Sequence, residues 1–198
     1  MTSTPRTAVR ERTTRETTIR VSVDLDGSGR SDISTGVGIY DHLLTSFAHH
    51  SLMDIEIAAT GDLHIDEHHT VEDVALVLGD AISAALGDRA GITRFGDSVV
   101  PMDDALASVA LDLSGRPYAV LDLTFRGERV GGLSTQLVEH ILESLARTLG
   151  ANLHITASGR NDHHIAEATF KALARSMRAA VAIDPRRSGV ASTKGSLG

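Results

Sequence analysis

An internal duplication constrains the fold of this chain more than any other feature of its sequence. Residues 41–47 (DHLLTSF) resemble residues 139–145 (EHILESL). Residues 54–61 (DIEIAATG) resemble residues 152–159 (NLHITASG) at the same offset. A unit that is used twice in one chain predicts two similar half-domains that share one core.

The match extends on both sides of these segments. After a contraction of three residues, HHTVEDVALVLGDAISAAL at 68–86 corresponds to HHIAEATFKALARSMRAAV at 163–181. Upstream, we align VSVDLD at 21–26 approximately with VLDLTF at 120–125. The repeat thus predicts a first half over 1–93 and a second half over 94–198, which form one compact unit around a linker at 87–97.

The spacing of apolar residues alternates between two periods within each half. A period of two predicts strands over 19–23, 55–57 and 119–123. Helical spacing predicts helices over 71–85, 137–149 and, more briefly, 39–49, with Gly87 and Gly150 ending the first two. Each half then contains strands, a helix, a strand and a helix. This order predicts an α+β fold whose sheets are covered by helices.

Composition excludes several kinds of function. A net charge of −7, from 26 acidic and 19 basic residues, disfavours binding to nucleic acid or an anionic membrane. Only six residues are Tyr or Phe and none is Trp, so a base-stacking surface is not expected. The chain has no cysteine, so a metal must be held by nitrogen and oxygen, and we predict a cytoplasmic location.

Ten histidines are the compositional exception, and most of them follow the repeat. Positions i and i+4 of a helix share one face, so His68 with Glu72, and His163 with Glu167, can each hold one ion. The second histidine of each pair points about 100° away and would serve a different ion. His42 and His140 occupy matching places upstream.

If a pseudo-twofold axis relates the two halves, these ligands form two groups. One ion would take His68, Glu72, His140 and His164, and the other would take His163, Glu167, His42 and His69. Three imidazoles and one carboxylate leave about two positions open on an octahedral ion, which suits substrate binding at Mn²⁺ or Fe²⁺. Zn²⁺ would compete by affinity, so the identity of the metal stays open.

Simpler interpretations apply to single residues in this set. A lone histidine is more often packed or solvated than ligating, but two matching copies of H-H-x-x-E favour a two-metal site. Arg94, Arg116 and Lys194 lie beside Gly or Ser, where a cation and backbone N–H groups can hold phosphate. By spacing alone these three are ordinary surface cations. Lys171 follows Glu167 by four residues and therefore faces the same metal.

Many ordered motifs of the chain resemble the imidazoleglycerol-phosphate dehydratase family of histidine biosynthesis. They are YDHLL, GDLHIDEHHTVEDVALVLG, RFGD, DLSGRPY, TQLVEHILESL, NDHHIAEATFKALARS and DPRRSG with STKG. The resemblance implies a fold like the second domain of ribosomal protein S5, with left-handed βαβ crossovers. It also implies two Mn²⁺ per active site and a homo-oligomeric shell of 24 subunits with active sites between them.

The resemblance also implies roles for individual residues. The metal ligands would be the eight residues that the repeat selects, and the phosphorylated imidazole substrate would contact Glu16, Arg94, Arg116, Lys171, Ser192 and Lys194. The candidate proton carriers are Glu16, Glu72, Glu167 and Lys171, of which we favour Glu16 and Glu167. A phosphatase domain like that fused to some relatives is not expected. A di-metal phosphate-ester hydrolase and a non-catalytic metal-binding assembly are the alternative functions.

Overall fold

Each half of the chain contributes one four-stranded sheet and two helices in the computed structural model, which describes residues 5–197. The first half contains β1 (Thr7–Thr13), β2 (Thr17–Asp24), β3 (Ser31–Ser34), α1 (Gly38–Ser51), β4 (Asp54–Gly61) and α2 (His68–Leu86). The second contains β5 (Phe95–Met102), β6 (Ala105–Asp112), β7 (Tyr118–Leu123), β8 (Arg129–Val130), β9 (Leu133–Ser134), α3 (Thr135–Leu149), β10 (Asn152–Ser158) and α4 (Asp162–Val181). The predicted α+β class and the order of elements are confirmed.

The two four-stranded sheets have the same topology, and β8 and β9 form a separate two-stranded sheet. Their strand orders are β1-β2-β4-β3 and β5-β6-β10-β7. In each sheet the first two pairs are antiparallel, whereas β3 with β4 and β7 with β10 are parallel. A parallel pair needs a crossover connection, which α1 provides in the first half and α3 in the second.

The alignment of residues 21–26 with 120–125 is wrong. Asp24 of β2 pairs with Asp54 of β4, and Asp112 of β6 pairs with Asn152 of β10. VSVDLD therefore corresponds to VALDLS at 109–114, whereas β7 is an edge strand that corresponds to β3. The error arose because an alternation of period two recurs in every strand, so a few apolar residues do not identify which strand is matched.

The segment between the halves is also shorter than predicted. Strand β5 begins at Phe95, inside the linker that we predict over 87–97, and the predicted boundary between the halves falls between α2 and β5. The helix ends agree better with prediction. Gly87 and Gly150 directly follow α2 and α3, and Gly150 adopts a left-handed φ of 65°, which glycine tolerates without strain.

Helices connect the two halves across the core. Helix α2 covers its own sheet and packs against α3, while α4 covers the second sheet and packs against α1. Apolar side chains from all four helices, among them Tyr40, Leu78, Ile141 and Phe170, surround one small enclosed cavity. Each helix within residues 5–197 is too short or too polar to span a lipid bilayer. The pairing of α2 with α3, and of α4 with α1, decides which histidines meet.

Candidate metal centres

The same kind of side-chain hydrogen bond positions the first residues of α2 and α4. The Asp66 carboxylate accepts a hydrogen bond of 2.9 Å from the backbone N–H of His68, and the Asn161 side chain accepts one of 2.9 Å from the N–H of His163. Such side chains satisfy N–H groups that the first turn of a helix leaves free. Each His-His pair is thereby fixed at the start of a helix.

The first triad consists of His68, Glu72 and His140. Glu72 Oε2 lies 3.7 Å from His68 Nε2, and Glu72 Oε1 lies 3.5 Å from His140 Nε2. The rings of His68 and His140 are 4.9 Å apart between centroids. His68 and Glu72 come from α2 of the first half and His140 from α3 of the second, so this triad exists only because the halves pack together.

The second triad consists of His42, His163 and Glu167. Glu167 Oε2 lies 3.2 Å from His42 Nε2 and 3.1 Å from His163 Nε2. The two imidazoles stack with their centroids 5.7 Å apart. Here α4 of the second half supplies two residues and α1 of the first half supplies one, which mirrors the composition of the first triad.

Both triads fit a divalent cation. In each, one candidate ligand atom per residue lies within 4.8 Å of the others. His140 Nε2 is buried and has no hydrogen-bond partner among residues 5–197, which is a costly state for a polar atom. Imidazole nitrogen with carboxylate oxygen is a donor set for Mn²⁺, Fe²⁺ or Zn²⁺. An ion at the first triad would give His140 the partner that it lacks.

A cation lies beside each triad carboxylate, but the two cations come from different elements. Lys171 Nζ lies 2.7 Å from Glu167 Oε1, and Arg147 Nη2 lies 3.5 Å from Glu72 Oε1. Burial alone would raise the pKa of Glu167, but hydrogen bonds from Lys171 and His42 outweigh it and lower the pKa to about 2. Glu167 is therefore ionised at neutral pH, as a metal ligand must be.

His69 and His164 do not join either triad in the chain that carries them. Their Nδ1 atoms lie 3.0 Å from Asp62 Oδ2 and 2.7 Å from Asp104 Oδ1. The hydrogen bond with Asp62 raises the pKa of His69, and that with His164 lowers the pKa of Asp104. A carboxylate at Nδ1 leaves Nε2 as the ring nitrogen that can bind a metal.

Glu16 lies near His69 without bonding to it. Its Oε2 atom is 3.9 Å from His69 Nδ1, and 53% of its side chain is exposed. Glu16 belongs to the turn between β1 and β2, beside a surface pocket that Asp62 also lines. Of the predicted substrate contacts, Lys171 and Glu16 therefore lie close to predicted metal ligands.

Arg94 lies far from Glu167 of the same chain. Arg94 donates to Asp112 at 2.6 and 2.9 Å and to the carbonyl of Ala191 at 2.7 Å, in the same tail as Ser192 and Lys194. Its backbone N–H donates to Ala180 O near the end of α4. Ala180 follows Glu167 by thirteen positions in α4, which is about 20 Å at ~1.5 Å per residue. Arg116 is exposed in the loop after β6.

Four residues that contact the predicted site were not identified from the sequence: Asp62, Asp104, Asp112 and Arg147. The correct alignment of β2 with β6 would have pointed to Asp104, because it places this residue at the repeat position of Glu16. Asp62 and Arg147 have no comparable signal. Their roles depend on a loop conformation and on the packing of α2 against α3.

Comparisons with known proteins agree with this fold along most of the chain. A family model described as imidazoleglycerol-phosphate dehydratase matches residues 35–177. An imidazoleglycerol-phosphate dehydratase of Methanoculleus marisnigri is 54% identical over 192 residues, which is 97% of this chain and 100% of the relative. The chloroplastic enzyme of that name from Pisum sativum is 54% identical over 98% of this chain and 70% of its own length.

Two solved structures extend the likeness to three dimensions. The crystal structure of imidazoleglycerol-phosphate dehydratase from Pyrococcus furiosus in complex with (S)-C348 has a TM-score of 0.83 and 40% identity, and covers 95% of this chain and 100% of that one. The crystal structure of the dehydratase from Staphylococcus aureus has a TM-score of 0.82 and 34% identity, with 90% and 99% covered.

Proposed function

Since this chain belongs to the imidazoleglycerol-phosphate dehydratase family and is a hydro-lyase of histidine biosynthesis, we propose that its two triads bind the metal ions on which the dehydration depends. The reaction converts D-erythro-imidazoleglycerol phosphate to imidazole acetol phosphate and water. We assign two Mn²⁺ to each active site.

The equivalence of the triads is the observation that carries this proposal. Each joins an H-x-x-x-E pair at a helix start to one histidine of the opposite half, and each brings three donor atoms together. Two like sites suit a substrate whose imidazole ring has two nitrogens. Cations held by the two triads would supply Lewis acidity to the substrate. The buried, unpaired Nε2 of His140 supports ligation at the first triad.

The fourth ligand of each ion comes from another copy of the chain in this proposal. His69 and His164 lie outside the triads of their own chain, and their Nδ1 atoms are already held by Asp62 and Asp104. His164 would become the fourth ligand at the first triad of a neighbouring copy. His69 would become the fourth ligand at the second triad of a neighbouring copy. Metal binding would then organise contacts between subunits.

The position of the phosphate contacts supports the same assembly. Arg94 lies about 20 Å from Glu167 along α4, as counted at ~1.5 Å per residue. That distance is too long for one small substrate to bridge. We therefore propose that Arg94, Arg116, Ser192 and Lys194 hold the phosphate of a substrate bound at the triads of a neighbouring copy. The homo-oligomer of 24 subunits and the cytoplasmic location stay predictions.

Proton transfer requires acid–base groups that face the substrate and are not already bound to a metal ion. The proton to be removed is on a carbon with no neighbouring carbonyl, so it is weakly acidic and needs a positioned base. Glu16 is half exposed, and its side chain makes no hydrogen bond to residues 5–197, so we propose it as the main proton carrier. Glu72 and Glu167 act mainly as ligands, and Lys171 orients Glu167 and faces the substrate.

One assay distinguishes this function from its alternatives. Protein loaded with Mn²⁺ is incubated with imidazoleglycerol phosphate, and the ketone and free phosphate are measured. We expect ketone without free phosphate. Free phosphate alone would indicate a hydrolase, and neither product would indicate a metal-binding assembly.

A matched pair of histidine variants tests the role of the metal. His68→Ala should abolish turnover and reduce bound Mn²⁺, because it removes a triad ligand. His154→Ala removes an exposed histidine of β10 and should leave both values unchanged. Full metal content in His68→Ala would contradict the assignment of the first triad.

A further inference from the structure

Glu16 and Asp104 occupy the same position in the two halves. Each lies eight residues before the aspartate, Asp24 or Asp112, that pairs with the first residue of β4 or β10. The hairpins that contain these two residues have matching registers. Thr13 lies opposite Thr18 in β1–β2, and Pro101 lies opposite Leu106 in β5–β6. The turns that contain Glu16 and Asp104 are therefore the same length.

The environments of two equivalent glycines support this alignment. A Cβ at Gly61 would meet Thr17 and Thr70, and a Cβ at Gly159 would meet Ala105 and Ile165. Thr17 and Ala105 directly follow Glu16 and Asp104, and Thr70 and Ile165 directly follow His69 and His164. In both halves the same turn thus faces the second histidine of the pair.

The two equivalent carboxylates nevertheless contact their histidines differently. Asp104 bonds His164 Nδ1 through Oδ1, and its Oδ2 accepts the backbone N–H of Asn161 at 2.9 Å and that of Arg160. Both oxygens of Asp104 are thereby held. Glu16 Oε2 remains 3.9 Å from His69 Nδ1. Its side chain makes no hydrogen bond within the part of the chain that the structure describes.

Asp62 takes the place at His69 that Asp104 has at His164. It bonds His69 Nδ1 at 3.0 Å, and only 16% of its side chain is exposed. Asp62 opens the loop before α2, which has six residues between Gly61 and His68, whereas three residues lie between Gly159 and His163. The longer loop thus places a carboxylate at His69, whereas Asp162 in the shorter segment accepts the backbone N–H groups of Arg126 and Gly127 instead.

We propose that Asp62 is the positioning residue of His69 and that it thereby releases Glu16, the repeat equivalent of Asp104, to act on the substrate. Metal-ligating histidines usually donate their second ring N–H to a carboxylate, which fixes the tautomer and the orientation of the ring. The two halves meet this need with non-equivalent residues. The inference rests on the proposed function, because it assigns His69 as a ligand and Glu16 as a proton carrier.

The test compares Asp62→Asn with Glu16→Gln in the full-length assembled protein. Mn²⁺ affinity is measured by competition with a chelator, and the bound ions are followed by electron paramagnetic resonance. Asp62→Asn should lower the Mn²⁺ affinity of about half of the sites by 10-fold to 100-fold. This is the range typical of losing a carboxylate that hydrogen-bonds a metal-ligating histidine. Glu16→Gln should keep wild-type Mn²⁺ affinity and spectrum while lowering kcat by about 10²-fold to 10⁴-fold.

Two further variants serve as comparison and control. Asp104→Asn should lower the Mn²⁺ affinity of the other half of the sites. Asp97→Asn removes an equal charge from the exposed face of β5, where this side chain makes no ion pair within residues 5–197, and should leave Mn²⁺ affinity unchanged.

Opposite results would overturn the inference. Wild-type Mn²⁺ affinity in Asp62→Asn would exclude the positioning role, and a loss in Glu16→Gln equal to that in Asp62→Asn would assign the role to Glu16. If the wild-type protein bound Mn²⁺ but made no ketone, the proposed function would fail while the affinities still tested Asp62. A wild-type protein that bound no Mn²⁺ would contradict both.

Discussion

The two halves of this molecule agree where the triads lie and differ in the residues that surround them. Both start their second helix with H-H-x-x-E behind an Asp or Asn that accepts the backbone N–H of the first histidine. The neighbouring groups diverge, since Asp62 and Asp104 hold the second histidines from different loops. The repeated helix start therefore supplies two residues of each triad, and the packing of α2 on α3 and of α4 on α1 adds the third. Loops and other helix contacts give each triad its own electrostatic environment.

The largest effect should come from removing either triad carboxylate. Glu72→Gln and Glu167→Gln should each lower bound metal from two ions to one per site and reduce kcat/KM by similar factors. Loss of several kcal/mol of transition-state stabilisation by the metal corresponds to a fall in kcat/KM of roughly 10²-fold to 10³-fold or more. Metal analysis and steady-state kinetics on the two variants measure how equivalent the halves are.

Glu143→Gln is the matched control for this comparison. Its carboxylate lies 3.9 Å from His140 Nδ1 and is 60% exposed, so it is near the first triad without belonging to it. We expect two ions and nearly wild-type kinetics. If Glu72→Gln kept both ions while Glu167→Gln lost one, the halves would not be equivalent as ligand sets.

The predictable parts of the fold and site are those encoded within a few turns of chain. The α+β class and the ends of α2 and α3 followed from apolar spacing and from Gly87 and Gly150. The triads followed from i, i+4 spacing combined with the repeat. Strands β1, β5 and β6 were not predicted, because short alternating segments resemble one another and the partners of these strands are distant in sequence. The pairing of Arg94 with Asp112 and the tail likewise depends on tertiary packing.

A second comparison concerns Arg94 and its counterpart Arg6, each of which directly precedes the first strand of its sheet. Arg6 holds Asp26 at 2.5 and 2.9 Å and the carbonyl of Val181 at 2.6 Å, as Arg94 holds Asp112 and the carbonyl of Ala191. Arg94→Ala should raise KM about 10-fold to 100-fold, because a charge-assisted hydrogen bond contributes about 1.5–3 kcal/mol. Metal content should stay intact.

Arg6→Ala removes the same kind of contact from the other half and should leave KM unchanged. Steady-state kinetics and metal analysis on both variants separate a substrate contact from a structural ion pair. An equal rise of KM in the two variants would show that the arginines act only by supporting the fold. A loss of metal in Arg94→Ala would contradict its proposed phosphate role.

Helix packing offers a smaller test of the same comparison, at Gly79 in α2 and its counterpart Ala174 in α4. A Cβ at Gly79 would lie 2.7 Å from Leu145 O and 3.0 Å from Leu149 N, and would overlap Thr148. Gly79→Ala should therefore lower the free energy of unfolding by about 1–3 kcal/mol, although alanine is the better helix former. Ala174→Gly should cost only about 1 kcal/mol. Urea unfolding at a fixed protomer concentration measures both.

The smallest difference lies at Asp54, whose counterpart in the second half is Asn152. The Asp54 carboxylate accepts backbone N–H groups from Ser28 at 2.7 Å and Arg30 at 2.9 Å. Burial alone would raise the pKa of Asp54, but these bonds and the Arg30 guanidinium lower it well below its ordinary value of 3.8. Because the Arg30 side chain is 84% exposed, the backbone bonds should contribute most of the stabilisation.

Asp54→Asn should accordingly lower the free energy of unfolding at pH 7 by about 1–2 kcal/mol. A carboxylate whose pKa is lower in the folded state stabilises the protein above its unfolded pKa, and this contribution is lost as the pH falls below about 4. The difference between wild type and Asp54→Asn should shrink over that range, whereas titration of the histidines cancels because both proteins carry them. Unfolding measured at pH 7, 4 and 3, with metal removed, gives this difference directly. A difference that did not change with pH would mean that the loop of the first half depends on the shape of Asp54 and not on its charge.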